Sequence, residues 1–225
     1  MQMFDLERAR GSLGRGLARQ AFEKAQRDDA DFGRALRDLH DLAPNPRSRS
    51  RFARRLGRRP GVVAVSAGRD GVTAVLRSTL TATVREPGAV PYEEPRIAWL
   101  RIRAVARRRA IGFDLHCAQL SLHAMHRRVE RSGVDLSDLL GRLDTALLRA
   151  LGFLARNAPV RDRDDAYLPA IEGVWAGREE TMASDPAWGA AFRHAPKVCV
   201  FSVRTFLGED QMRPTVWLKW SQRAA

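Results

Sequence analysis

Apolar residues recur along this chain at two different periods, and the changes of period mark its elements. Between residues 2 and 42 the spacing is helical: Phe4, Leu6, Ala9, Leu13 and Leu17 are loosely periodic, and Phe32, Leu36, Leu39 and Leu42 more strictly so. Gly11, Gly14 and Gly16 weaken the first of these runs. The stretch from Asn45 to Arg59 breaks the pattern, and β-branched content then takes over. Val62–Ala67 and Val72–Val84 read as strands joined by the tight-turn signal Gly68-Arg-Asp-Gly71, which predicts a hairpin. After a loop at Pro87, Gly88 and Pro91, Arg96–Arg109 alternates as a strand. It sets Ala98, Leu100, Ile102 and Ala104 on one face and Ile97, Trp99, Arg101 and Arg103 on the other. Ile111–Leu115 is a further short strand.

The period then returns to helical. Ser121 is a suitable N-cap for a helix over Leu122–Ser132 that stops at Gly133. A second helix starts near Asp135 and carries an apolar stripe at Leu136, Leu139, Leu140, Leu143, Leu147, Ala150, Leu151 and Leu154. An acidic loop at Arg161–Asp165, a strand at Ile171–Ala176 and a polar, Pro-containing stretch follow. Lys197–Leu207 is the strongest strand, and Thr215–Trp220 ends the sheet, with Trp217 and Trp220 on opposite sides. Together these predict an α+β fold: an antiparallel sheet packed by two central helices, with a helical N-terminal extension. The expected division is a helical region over 1–43, a basic arm over 44–60 and an α+β domain over 61–225.

Composition narrows the class. The chain has 225 residues, 44% hydrophobic and 29% charged, enough for an ordinary globular core. No apolar run approaches the ~18 residues of a membrane span, and the N-terminus lacks the pattern of a secretory signal. The two cysteines, Cys117 and Cys199, form no CxxC pair. A cytoplasmic protein with no membrane partner is expected.

Charge changes the picture more. The chain carries 39 Lys+Arg and 26 Asp+Glu, a net charge of +13. A GC-rich genome raises arginine through codon usage, but that bias spreads along a chain, whereas this excess is local. Residues 44–131 hold 19 arginines, no lysine and six acids, so the whole excess lies in this block. Such a footprint suits phosphates. Within it, Arg47, Arg49, Arg51, Arg54, Arg55, Arg58 and Arg59 form an arm able to order on nucleic acid. Trp99, Arg101 and Arg103, followed by Arg107, Arg108 and Arg109, offer guanidiniums and a stacking ring. The alternative is that Trp99 packs beneath a helix and the arginines rim it.

The densest chemistry is Ser121-Leu-His-Ala-Met-His-Arg-Arg-Val-Glu-Arg131. On a helix His123, Arg127, Glu130 and Arg131 fall on one polar face. An imidazole beside two guanidiniums suits phosphodiester cleavage: the first moves a proton, and the others hold phosphate and offset charge. An ordinary amphipathic helix with an Arg–Glu network is the competing reading. His116, Cys117, His123 and His126 crowd together, but without the spacing of a closed zinc site, so no metal is expected. No Walker or Rossmann glycine pattern is present, and no cofactor is expected.

The pattern Ser121-x-His123-Ala124-x-x-Arg127-x-x-Glu130-Arg131 resembles the corresponding helix of BrnT-like toxins, ribonucleases of the RelE superfamily. The resemblance covers roughly residues 109–220; Asn157–Pro196 would be an insertion, and the first hundred residues have no counterpart. It implies helices on a small antiparallel sheet, metal-independent RNA cleavage through the 2′-hydroxyl, and an antitoxin partner. His123, Arg127 and Arg131 would be the active face, with Arg204 or Thr205 contributing from the sheet. The resulting expectation is a toxin-like ribonuclease acting on RNA rather than DNA. The alternatives are a non-catalytic nucleic-acid-binding module of a mobile element or regulatory system, and an interaction subunit that meets an acidic protein.

Overall fold

The computed structural model describes residues 2–40, 46–84, 88, 90–106, 111–132, 138–156, 158–162, 165–183 and 197–224. Three helices come first: α1 (Gln2–Arg27), α2 (Phe32–His40) and α3 (Pro46–Leu56). Strands β1 (Val62–Ala67), β2 (Gly71–Val84), β3 (Tyr92–Ala106) and β4 (Ile111–Ser121) follow as an antiparallel meander. Helices α4 (Leu122–Arg131) and α5 (Leu139–Leu154) lead to a second meander of β5 (Val160–Asp162), β6 (Asp165–Ala170), β7 (Gly173–Met182) and β8 (Val198–Gly208). Helix α6 (Pro214–Ala224) closes the described chain.

The eight strands form one sheet in the order β1-β2-β3-β4-β8-β7-β6-β5. Its seam overturns the expected antiparallel sheet, because β4 and β8 run parallel, from His116 beside Cys199 to Leu120 beside Val203. A parallel pair needs a long crossover, supplied here by α4, α5 and β5–β7. The sheet is therefore mixed, two meanders joined along one parallel seam.

Nor do two central helices suffice to pack it. On one face α1, α4 and α5 bury Val75, Ile97, Trp99, Ala118, Leu120, Phe201 and Phe206. On the other, α2 and α3 bury Val72, Leu76, Leu100, Ile102, Leu115 and Val200. A third cluster joins Val216 and Trp220 of α6 to Val160, Tyr167 and Val174. The N-terminal helices are thus structural layers on both faces and not an extension. Helix α1 manages this with a seam of small residues, Gly11, Gly14, Ala18, Ala21 and Ala25, all buried at alternating spacings of three and four. A β-carbon at Gly14 would lie 2.6 Å from Cδ2 of His126, so α4 approaches that seam at backbone distance.

Further segments differ from expectation: the acidic loop expected at 161–165 contributes its ends to β5 and β6, the strand expected at 171–176 runs instead from Gly173 to Met182, and β4 continues past Leu115 to Ser121. Residues 46–56 form a helix rather than an extended arm, with Pro46 in the first turn and Phe52, Ala53 and Leu56 buried on the sheet. Thr215–Trp220 lies within α6 and not in a strand; Val216 and Trp220 face inward at i, i+4, leaving Trp217 exposed. Among the described residues no helix is long and apolar enough to cross a membrane.

Candidate nucleic-acid interface

Helix α4 begins as its sequence predicts: the Ser121 hydroxyl accepts the Ala124 N–H at 3.2 Å. Ala124, Met125 and Val129 turn into the core. The polar face is less free than a phosphate clamp requires. Arg127 pairs with Glu130 at 2.7 Å, and the other oxygen of Glu130 lies 2.9 Å from His126. Arg131 donates to the Phe206 carbonyl at 2.6 Å and to the Thr205 hydroxyl at 3.4 Å, which pins the helix end to β8. Burial, and then Arg127, lowers its pKa below the ordinary guanidinium value. Arg128 is sunk over the Phe206 ring, 4.3 Å from its centroid, and pairs with Glu172.

His123 is the exposed member of this face. Partial burial, followed by the charges of Arg127 and His126, holds its pKa below the usual histidine value. The ring is thereby kept neutral near pH 7, the form a general base needs.

The basic block resolves into a different surface. On α3 and just beyond it, Arg47, Arg51, Arg54, Arg55 and Arg58 are exposed at i, i+4, i+7, i+8 and i+11, one helical face. No acid lies in the helix. From Arg47 to Arg55 eight residues at helical rise extend the row over about 12 Å, and Arg58 follows in the turn after α3. Arg49 points inward instead and donates to the Arg69 carbonyl at 2.7 Å, tying α3 to the β1–β2 hairpin. Arg59 pairs with Asp38 at 2.6 Å.

The β3 residues are mostly engaged. Ile97 and Trp99 lie on one face and Ala98, Leu100, Ile102 and Ala104 on the other, as the alternation predicts, but Trp99 is fully buried under α5 and its indole N–H donates to Asp144 Oδ1 at 2.8 Å. It has no free face for a base. Asp144 also pairs with the buried Arg77 of β2. Arg101 pairs with Asp114 at 3.3 Å, and the exposed Arg103 with Asp70 at 3.4 Å. Arg204 is exposed at an irregularity where β8 passes the Ala176/Gly177 step of β7. Arg107, Arg108 and Arg109 lie outside the described residues.

The predicted residues therefore do not converge. Helix α3 packs on one face of the sheet and α4 on the other, so the arginine row and His123 do not share a site. The His116, Cys117, His123 and His126 group is also dispersed: Cys117 is buried in the core beneath α2 and α3, while His116 lies 3.4 Å from Asp114. Among the described residues no group of three His, Cys, Asp or Glu side chains is placed to hold a metal ion.

Two features of the structure are not among the sequence expectations. One is the Arg77–Asp144–Trp99 network, whose signal was an acid set within the apolar stripe of α5. The other is a polar patch on the α5 side of the sheet. There the Cys199 thiol lies 3.5 Å from Glu179, and burial together with that carboxylate pushes its pKa up to about 12. Desolvation likewise lowers His116. This patch needed the β4–β8 pairing, which no local pattern announces. No family model, curated protein or solved structure matches this chain.

Proposed function

We propose that this protein binds nucleic acid through the outer face of α3, by contacts to the phosphate backbone. The observation that carries the reading is the exposed row Arg47, Arg51, Arg54, Arg55 and Arg58 on an acid-free element held rigid by Phe52, Ala53 and Leu56. A fixed row of guanidiniums meets successive phosphates without the ordering cost of a disordered arm. The burial of Trp99 removes the stacking platform, so binding is directed at charge and not at bases. The test is binding of a labelled duplex and a labelled single strand across a salt series. The reading predicts affinity that falls steeply with salt. Salt-insensitive binding, or none at low salt, overturns it.

One observation favours a second reading, a metal-independent ribonuclease on α4. His123 is exposed, its pKa is lowered, and Arg127 is close enough to contribute to that shift. In this reading His123 removes the 2′-hydroxyl proton, the 2′-oxygen bonds to phosphorus as the bond to the 5′-oxygen breaks, the departing 5′-oxygen takes a proton from water, and Arg127 leaves Glu130 to hold the phosphate. Arg131, bonded to Phe206, positions the helix and does not touch substrate. It follows that His123→Ala abolishes cleavage while leaving binding at α3 intact. Failure of the wild-type protein to cut RNA, with or without ribosomes, removes this reading and leaves the first.

A further inference from the structure

Strand β1 is an edge of the sheet, and among the described residues nothing pairs with it on the side away from β2. Its sequence, Val-Val-Ala-Val-Ser-Ala, carries no charge and no proline, the usual devices that keep an edge unpaired. The opposite edge, β5, is three residues long and includes Arg161 and Asp162. The hairpin register fixes which β1 groups are open. Gly68 N–H donates to the Gly71 carbonyl at 2.8 Å, so bonding to β2 alternates back along the strand. Ala64 and Ser66 turn their backbone groups to β2, and Val65 and Ala67 turn theirs outward.

A groove of about 410 Å³ runs beside those two residues, between β1 and α3. Ala53, Val65 and Ala67 contribute its apolar lining, and Arg54 and Arg58 its charge. A β-carbon at Gly57 would lie 2.9 Å from Val65 Cγ1, so the end of α3 approaches β1 closely along this groove.

We propose that β1 accepts an extended acidic segment of another protein as a ninth strand. Outward amides of Val65 and Ala67 supply the ladder, and the groove reads one face of the incoming strand. That face carries an aliphatic side chain over Val65 and Ala67 and, two residues along, a carboxylate against Arg54 or Arg58. Charge selects this occupant over a second copy of the chain. Residues 46–69 contain eight arginines and no acid, so a β1–β1 pair would set two such rows side by side. The inference is independent of the nucleic-acid reading, although Arg54 and Arg58 serve both.

The experiment is selection of random ten-residue peptides on the full-length chain, followed by fluorescence anisotropy with a selected peptide. The expected peptides show an aliphatic residue two positions from an acid. Methylating their backbone nitrogens one at a time should weaken binding at every second position, the signature of strand addition. Ala67→Pro removes an outward N–H without touching a bond to β2, and should weaken binding at least tenfold; Arg54→Glu/Arg58→Glu should do the same. The methyl scan leaves the protein unaltered and decides the matter if Ala67→Pro fails to fold. Peptides without acids, or a scan with no period of two, overturn the proposal. So does a wild-type dimer that Ala67→Pro converts to monomer, which makes the occupant a second copy. Loss of oligonucleotide binding in Ala67→Pro, with peptide binding unchanged, assigns the edge to nucleic acid instead.

Discussion

Removing the carboxylate of Asp144 should destabilise the fold more than any single change on the arginine surface. Asp144 lies under the sheet, with its side chain 20% exposed and that of its partner Arg77 8% exposed. One oxygen accepts the Trp99 indole N–H and the other pairs with Arg77. Asp144→Ala leaves a guanidinium with no counter-charge in a nearly dry position, a loss of roughly 3–5 kcal/mol when a buried pair is broken from one side. The orphaned indole N–H adds about 1 kcal/mol or more. Residual solvent at Asp144 offsets part of this, so a net loss of about 3–4 kcal/mol is expected, or a fall in Tm of roughly 10 °C for a chain this long. Asp144→Asn keeps an acceptor for Trp99 and should lose less. Replacing both partners, Arg77→Met with Asp144→Leu, should recover most of the loss because no charge is then stranded. Thermal melts followed by circular dichroism, with urea midpoints as a check, measure all three. A melting point for Asp144→Ala within 2 °C of wild type, or a double variant as unstable as the single one, would refute the reasoning.

Three further expectations follow from the same structure. Gly14→Ala drives a methyl against His126 and should cost about 1–3 kcal/mol, whereas Gly16→Ala, with nothing within 4 Å among the described residues, should be neutral or stabilising by up to about 1 kcal/mol; melting points of the two variants separate them. His116 and His123 both have pKa values lowered on folding, so the unfolded chain binds more protons and stability falls as pH drops through the unfolded value near 6.5. Urea midpoints at neutral pH and in mild acid should differ less for His116→Gln than for wild type, and an equal difference contradicts the assignment. Cys117 and Cys199 both sit near pKa 12, chiefly through burial, so neither thiol of the native protein should react with iodoacetamide at mildly alkaline pH as fast as in urea. Glu179→Gln should speed Cys199 alone.

What could be read from the sequence follows its local physics. Ser121 capping α4 and the stripe of α5 from Leu139 to Leu154 are signals complete within a few residues, and both are realised; Asp135 and Leu136 lie outside the described residues. The Gly68–Gly71 turn likewise sets its own hairpin. The parallel β4–β8 seam was not legible, because an apolar strand looks alike whichever way its neighbour runs. In α3 the Pro, Ser and Arg content suggested an arm, yet Phe52, Ala53 and Leu56 already marked one buried face. In α6 the β-branched start suggested a strand, and Pro214 in the first helical turn was the contrary signal. The alternation through Trp99 placed that ring on the correct face. Whether the face met water or α5 depended on a helix some forty residues away, so the distinction between a stacking platform and a core residue lay beyond pattern. The same holds for Arg131: helical spacing put it beside Arg127, but its bond to Phe206 required β8.

The α3 surface is tested most directly by the salt dependence of binding to a duplex of about 20 base pairs, for wild type and for Arg51→Gln/Arg54→Gln/Arg55→Gln/Arg58→Gln. Each phosphate contact contributes a slope of about −0.9 to the plot of log K against log salt. The four-residue variant should therefore fold normally, bind more weakly at low salt, and show a slope shallower by about 3–4. An unchanged slope and affinity would contradict the claim that these arginines form the phosphate-binding surface.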